Sequence, residues 1–388
     1  MEAQNKFLVD QQLNLINARI SAAILENNNY EQNNIQLFLW NGKSLRIDGN
    51  SNNQKFISNQ SQAYSMANQE VVTDILLINQ NKYSIVCQSD GQLFIKKNNL
   101  QLQQSQSCIT IQQKQNNHFN AYCRLGFFQY ENQNDPTQNK YYLLAADYNY
   151  KISIYTSPLS IEYFSPNKKE ILENDYFFVQ YDQINQVFLA LCKDLKLQCH
   201  KMNEQTHTLE QFYIEFDEAD LKNLGINSVK DFVAFDFQYK DEQFLIYVLG
   251  KLIGVFSVCI NDMDDSQNNA KLTLLFDPFD IKISRQCDKK NISIFSDKRK
   301  QNYNQELTVV FDKLITKFYL NEDRLQKIVD LQDLNNPDYQ NFKIDNYICL
   351  YGSSENISYH IVNYTNCQKI EDAFKSTSCD RIFIYKES

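Results

Sequence analysis

The sequence predicts an all-β fold, a single β-propeller of seven blades spanning residues 1–388, with Asn/Gln-rich loops. Three observations carry that prediction. Short apolar runs recur in pairs across tight polar turns, which is the signature of a β-hairpin. Seven such pairs begin about 55 residues apart, a spacing that a four-stranded blade with lengthened loops would fill. Helix signals are few, and with only 8 Gly and 5 Pro in 388 residues no Pro/Gly-rich linker divides the chain.

The pairs, in order, run from Ile20 to Leu25 with Ile35 to Trp40, and from Tyr83 to Cys87 with Leu93 to Ile95 around Ser89-Asp90-Gly91. Next come Tyr141 to Ala146 with Lys151 to Tyr155, Val187 to Cys192 with Leu195 to Cys199, and Phe244 to Leu249 with Leu252 to Val258. The last two are Ile292 to Phe295 with Leu307 to Phe311, and Tyr347 to Tyr351 with Ile357 to Val362. Arg381 to Lys386 is a further strand, placed to complete the first or last blade. Two helical stretches interrupt this grammar. Asp217 is an N-cap for a short helix through Leu224 with Gly225 as its stop, and Glu322 to Asp330 has helical spacing.

Composition narrows the function classes. At 43% hydrophobic residues the chain can bury a core, which excludes wholesale disorder. Forty-five Asn and 38 Gln, 47 of them within the first 150 residues, read as a coding bias expressed in loop padding, because apolar runs interrupt them too regularly for a low-complexity domain. A net charge of −9 argues against a surface that is nucleic-acid footprint throughout. No apolar run approaches the length of a membrane span and the N-terminus lacks a signal-peptide pattern, so the expected location is intracellular, nuclear or cytoplasmic. Ten scattered cysteines without a CxxC pair read as thiols in a reducing compartment.

The motifs of common chemistry are missing. Gly42-Lys43-Ser44 imitates the end of a P-loop, but Leu37 stands where its first glycine belongs, and no GxGxxG, GxSxG or HExxH occurs. Cys192, Cys199 and His200 are soft metal ligands at a spacing that suits no familiar zinc site, so they read as core residues. Asp262, Asp264 and Asp265 lack the glycine and terminal glutamate of a calcium loop. Adjacent carboxylates such as Asp217/Glu218 and Glu322/Asp323 read as surface charge, and three Asn-x-Ser/Thr matches at Asn291, Asn356 and Asn363 follow from Asn abundance. The chain is therefore expected to hold no metal and no cofactor, and to work by binding. Its strongest charge feature is Lys282 to Lys300, where Lys289, Lys290, Lys298, Arg299 and Lys300 form a basic patch for RNA phosphates, with Phe295 as a stacking partner.

Ser89-Asp90-Gly91 before Leu93 to Lys96, and Ala146-Asp147 before Lys151 to Tyr155, resemble divergent WD repeats, although the Gly-His and Trp-Asp dipeptides are absent. Within that superfamily, Leu144 to Ile154 is similar to the Ala-Asp-Arg-Asp-x-Lys-Ile stretch of the non-catalytic WD-repeat subunit of tRNA (guanine-N7) methyltransferase. Ala146, Asp147, Lys151 and Ile152 match it, while Tyr148 and Asn149 replace its Arg and Asp. About a third of the chain supports the comparison. The resemblance implies a subunit for tRNA processing, without chemistry of its own, that docks a methyltransferase using S-adenosylmethionine and places tRNA against it. It implies partner contacts at Asp147, Tyr148, Asn149 and Lys151, to which Lys168 and Lys169, on the loop after this segment, are a second candidate. The alternatives are a protein-interaction propeller of another complex and a propeller enzyme.

Overall fold

The computed structural model describes residues 8–16, 20–28, 32–39, 44–48, 71–78, 82–97, 108–112, 122–132, 134–158, 160–164, 169–172, 174–203, 205–260, 268–277, 292–298, 306–319, 324–330, 342–351, 358–366 and 379–387. Their regular secondary structure is almost all strand. β1 (Leu8–Ile16) precedes a three-stranded sheet of β2 (Ile20–Asn28), β3 (Gln32–Leu39) and β4 (Ser44–Asp48). A four-stranded sheet follows from β5 (Val72–Ile78), β6 (Tyr83–Gln88), β7 (Leu93–Lys97) and β8 (Cys108–Gln112). The next has β9 (Tyr122–Tyr130), β10 (Lys140–Asp147), β11 (Ile152–Ser157) and β12 (Lys169–Ile171). Two antiparallel meanders come after it: β13 (Tyr176–Asp182), β14 (Val187–Cys192), β15 (Leu197–Met202) and β16 (Leu209–Phe216), then, past helix α1 (Glu218–Asn223), β17 (Ala234–Lys240), β18 (Gln243–Leu249), β19 (Ile253–Cys259) and β20 (Asn268–Phe276). β21 (Ser293–Ser296), β22 (Glu306–Val310), β23 (Leu314–Tyr319) and β24 (Arg324–Asp330) form a further sheet. The last comprises β25 (Phe342–Tyr351), β26 (Ser358–Asn366) and β27 (Cys379–Glu387), with β1 paired to β27 as its outer strand.

All seven hairpins read from the sequence are present. The first strands of the successive units begin at Ile20, Val72, Tyr122, Tyr176, Ala234, Ser293 and Phe342, 49 to 59 residues apart. Where seven separate blades were expected, however, the strands form six sheets, because β16 pairs in parallel with β20 over Ile214–Asn268, Glu215–Asn269 and Phe216–Ala270 and fuses two meanders into eight strands. The end strands of that sheet approach each other, Gln180 Nε2 donating to Phe235 O at 3.0 Å, so it is nearly closed into a barrel. The terminal strand also behaves as expected in kind, β27 lying between β26 and β1. The helical reading of Glu322 to Asp330 is corrected: β24 occupies 324–330 as the edge strand of its sheet, and backbone pairing outweighs a local 3.6-residue pattern. The other helical reading holds, with the Asp217 side chain accepting from Ala219 N at 2.7 Å and Gly225 leaving the helix at φ +76°.

The chain divides into two compact units: 1–121 with 312–314 and 328–388, and 122–311 with 315–327. In the first, Ile20, Ile35, Leu37 and Leu39 pack against Tyr359, Ile361 and Ile384, while Ala22, Ile24 and Phe38 pack against Val72, Ile75, Val86 and Phe94. The β2–β4 sheet is thus covered on both faces. In the second unit, β14 reads Val-Phe-Leu-Ala-Leu-Cys with every residue buried. Its alternation explains the unbroken apolar run: Val187, Leu189 and Leu191 enter the core of the eight-stranded sheet, and Phe188, Ala190 and Cys192 face Phe128, Leu144, Ile152 and Ile154 of the preceding sheet. The barrel interior is filled by Phe235, Phe237, Phe244, Ile246, Val248 and Phe256, and by Leu221, Leu224 and Ile226 from α1 and its C-terminal turn.

Polar stitches join successive sheets of the second unit. The Tyr181 hydroxyl donates to Phe127 O, and Gln129 N donates to the Gln186 side chain. Farther along, Gln238 Nε2 donates to Asp297 O at 2.8 Å, matching Gln180, which is also the fifth residue of its strand.

Candidate functional site

The segment that carries the family resemblance folds as the β10–β11 turn. Asp147 Oδ1 accepts from the backbone N–H groups of Asn149 (2.8 Å) and Lys151 (3.0 Å), while Asp147 N donates to Lys151 O and Tyr150 N to Asp147 O. An aspartate is well suited here because its short carboxylate substitutes for a turn carbonyl. Tyr150 adopts φ +65°, a left-handed conformation costly for a side chain with a Cβ, and the closed hydrogen-bond ring holds it there. Its ring stacks on Phe177 with centroids 4.9 Å apart, yet Tyr150 remains 49% and Tyr148 45% exposed. Two aromatic rings are thereby offered to solvent from a rigid turn.

The link from β12 to β13 braces this turn. Tyr176 N donates to Tyr150 O, and Lys151 Nζ lies 2.6 Å from Asp175 Oδ1. Hydrogen bonding from the Lys151 ammonium, added to its charge, holds the Asp175 carboxyl below its ordinary range. Asn174 Nδ2 donates to the Tyr213 hydroxyl at 3.1 Å, joining β16 to the same surface. Four expected partner residues, Asp147, Tyr148, Asn149 and Lys151, therefore sit together. Lys169 does not join them: it pairs with Tyr155, four residues along β11 and so about 13 Å away along the strand. Lys168 lies outside the described residues. Sequence reasoning missed Phe177 and Tyr213, which come from later strands, and Asn174 and Asp175, which come from the link before β13; none carries a local signal.

Of the expected RNA contacts, Lys289, Lys290, Arg299 and Lys300 lie outside the described residues, as do Asp262, Asp264, Asp265, Glu322 and Asp323. Lys298 is described, and its side chain is 14% exposed. Its ammonium lies 2.5 Å from Asp236 Oδ1, donates to Phe237 O, and sits 4.1 Å from the centroid of the Phe237 ring. Asp236 Oδ2 also accepts from Ser296 N (2.6 Å) and Ser296 Oγ (2.8 Å). This lysine thus spends its charge inside, stitching β17 to the turn after β21. Nearby, burial pushes the Asp182 carboxyl up, partly offset by the Lys298 charge and by bonds from Asn185 and Ile184.

Cys192 and Cys199 point to opposite faces, into the two cores on either side of β14 and β15, so they cannot share one ion. Burial pushes the Cys192 thiol up to about 12 and raises the Cys199 thiol well above its ordinary value. His200 is 1% exposed beside Phe188, neither ring nitrogen has a hydrogen-bond partner, and burial lowers its pKa to about 4. Among the described residues no group of three His, Cys, Asp or Glu side chains is placed to hold a metal. A serine and a histidine do meet in β26, where Ser358 Oγ lies 3.3 Å from His360 Nε2 and the Tyr347 hydroxyl 2.6 Å from Nδ1. All three are at most 5% exposed, which makes this an internal hydrogen-bond chain that a substrate does not reach. Asn363 is fully buried in β26, inaccessible to glycosylation in the folded chain. No helix among the described residues is long and apolar enough to cross a membrane.

No protein-family model matches the chain, and no curated protein matches it.

Proposed function

We propose that the chain is a non-catalytic, WD-repeat-like propeller subunit that binds and stabilises a partner protein, the catalytic subunit of a tRNA (guanine-N7) methyltransferase. The observation that carries this reading is the β10–β11 turn, where Asp147 fixes a backbone that presents Tyr148 and Tyr150 to solvent. Rigid exposed aromatics of this kind are the residues from which protein interfaces draw most of their binding energy. The repeat supports the propeller reading: counting the fused sheet as its two meanders gives seven units at 49 to 59 residue spacing. The buried titratable groups support a binding role, since Asp236, Lys298 and His360 are engaged with neighbouring side chains.

In this reading RNA contact belongs to the complex. The candidates for phosphate contact are Lys289, Lys290, Arg299 and Lys300, while Lys298 is held in an internal ion pair. Native mass spectrometry of the endogenous complex tests the partner: a methyltransferase subunit at one-to-one stoichiometry is expected, and a different stable partner, or none, overturns the assignment. Changing Lys289, Lys290 and Lys300 to Ser should flatten the salt dependence of RNA binding by the complex by up to about three units of slope. An unchanged slope removes this segment from the RNA path.

A further inference from the structure

β1, β4, β8, β12 and β24 are the outer strands of their sheets, opposite the strands with which the units begin. Such edges pair with foreign strands unless something blunts them, and each of these is blunted. An extra residue bulges the ladder at Asp10 of β1 and at Ile111 of β8. β12 is three residues long and carries Lys169, β4 carries Arg46, and β24 carries Arg324 and Lys327. The eight-stranded sheet holds two further edges, because β16 and β20 overlap only over 214–216 and 268–270. The edge of β20 is blunted by Lys271 and by a bulge at Thr273. β16 has no bulge, proline, lysine or arginine, and among the described residues no strand lies against the outer side of 209–213.

The open groups on that edge can be named. In the β15–β16 turn Asn203 N donates to Thr208 O, so alternation along the ladder sends the even-numbered residues of β16 to β15 and turns the N–H and C=O groups of Leu209, Gln211 and Tyr213 outward. Among the described residues one of these groups has a contact: Tyr213 O accepts from Asn268 Nδ2 at 3.4 Å, and a carbonyl keeps a second lone pair. The three side chains share one face, on which Gln211 and Tyr213 are exposed and Leu209 is half-buried.

The segment is self-complementary. When a second copy runs antiparallel to it about a two-fold axis through Gln211, every outward N–H of one copy meets an outward C=O of the other. Leu209 then lies against Tyr213 of the second copy and Gln211 against Gln211, while on the opposite face Glu210 lies against Phe212. No like charges stand directly opposite. Glu210, the one charge in the segment, accepts from the Asn203 side chain and faces Lys201 across the β15 ladder.

We propose that the 209–213 edge of β16 is a self-association site, at which a second copy of this chain adds its own β16 antiparallel about Gln211. One unblunted edge per chain closes a pair and leaves nothing to extend it into a filament. Sedimentation velocity on the purified full chain over a wide concentration range should show a reversible monomer–dimer equilibrium. Gln211→Lys and Gln211→Glu each set like charges opposite one another across the axis, and each should weaken self-association at least tenfold. An equimolar mixture of the two should associate at least tenfold more tightly than either alone, because opposite charges then meet. The side chain is exposed and its backbone groups make no bond to β15, so the melting temperatures should match that of the parent chain. A chain that is monomeric at every concentration, a dimer that both variants leave intact, or a mixture no tighter than its components overturns the proposal. The proposal is independent of the partner reading above: a monomeric chain bound one-to-one to a methyltransferase would refute the dimer alone, and a dimer without any co-purifying methyltransferase would do the reverse.

Discussion

Replacing Lys298 by Met removes a charge from the best-buried ion pair among the described residues of the second unit while keeping most of the length of the side chain. Asp236 then retains only the Ser296 N–H and hydroxyl as donors, with its side chain 6% exposed. Leaving a buried carboxylate without its counter-ion costs about 3 to 5 kcal/mol. The lost ammonium–ring contact over Phe237 adds about 0.5 to 2 kcal/mol. Against a total stability of about 5 to 15 kcal/mol this is a large fraction. With a urea m-value of about 3 kcal/mol/M, the midpoint should fall by 1 M or more. The informative comparison adds Asp236→Asn to Lys298→Met. The amide oxygen still accepts from Ser296 but carries no charge, so the double variant should recover about 2 kcal/mol of the loss. Urea titration followed by far-ultraviolet circular dichroism reads both. A Lys298→Met variant within 1 kcal/mol of the parent, or a double variant less stable than the single, would refute the account of Lys298 as an internal stitch and return it to the solvent-facing basic patch.

Two further outcomes are expected. His200 is neutral in the fold with a pKa of about 4 against about 6.5 unfolded, so the native state binds fewer protons between these values; its contribution is complete above pH 6.5 and about 3 kcal/mol is lost as pH falls to 4. His200→Leu, which also removes two unpartnered nitrogens, should flatten the fall in melting temperature between pH 6.5 and 4.5, and an unchanged profile would place the acid sensitivity elsewhere. At Gly126 a Cβ would lie 2.6 Å from Phe188 Cδ2 and 3.2 Å from Tyr181 Cδ2, so Gly126→Ala should cost about 1 to 3 kcal/mol by overpacking the core between two sheets; a change below 0.5 kcal/mol in the urea midpoint analysis would show that the rings yield freely.

Hairpins and the short capped helix were legible in the sequence because each depends on residues within about 20 positions of one another, and the period followed from the regular recurrence of the hairpins. Alternation in Tyr83 to Ile95 sets the faces of β6 and β7, and Asp147 closes its own turn on Asn149 and Lys151. The apolar run of Val187 to Cys192 was legible as a strand, while the burial of both its faces came from the structure. What tertiary structure alone decided involved partners far along the chain. The parallel pairing of β16 with β20 joins residues more than 50 positions apart and turns two meanders into one sheet. β24 is a strand because an edge was there to receive it, against its helical spacing. Lys298 lies in a basic run, which by sequence is a solvated charge, yet Asp236 waits 62 residues earlier to draw it inside. The same holds for the β10–β11 turn: the exposed Tyr150 ring is stacked in place by Phe177 of the next sheet, and Lys151 is paired by Asp175 of the link before it. Local patterns report which face of a strand meets the core, whereas the pairing of a charge or a ring depends on which distant strand the fold brings against it.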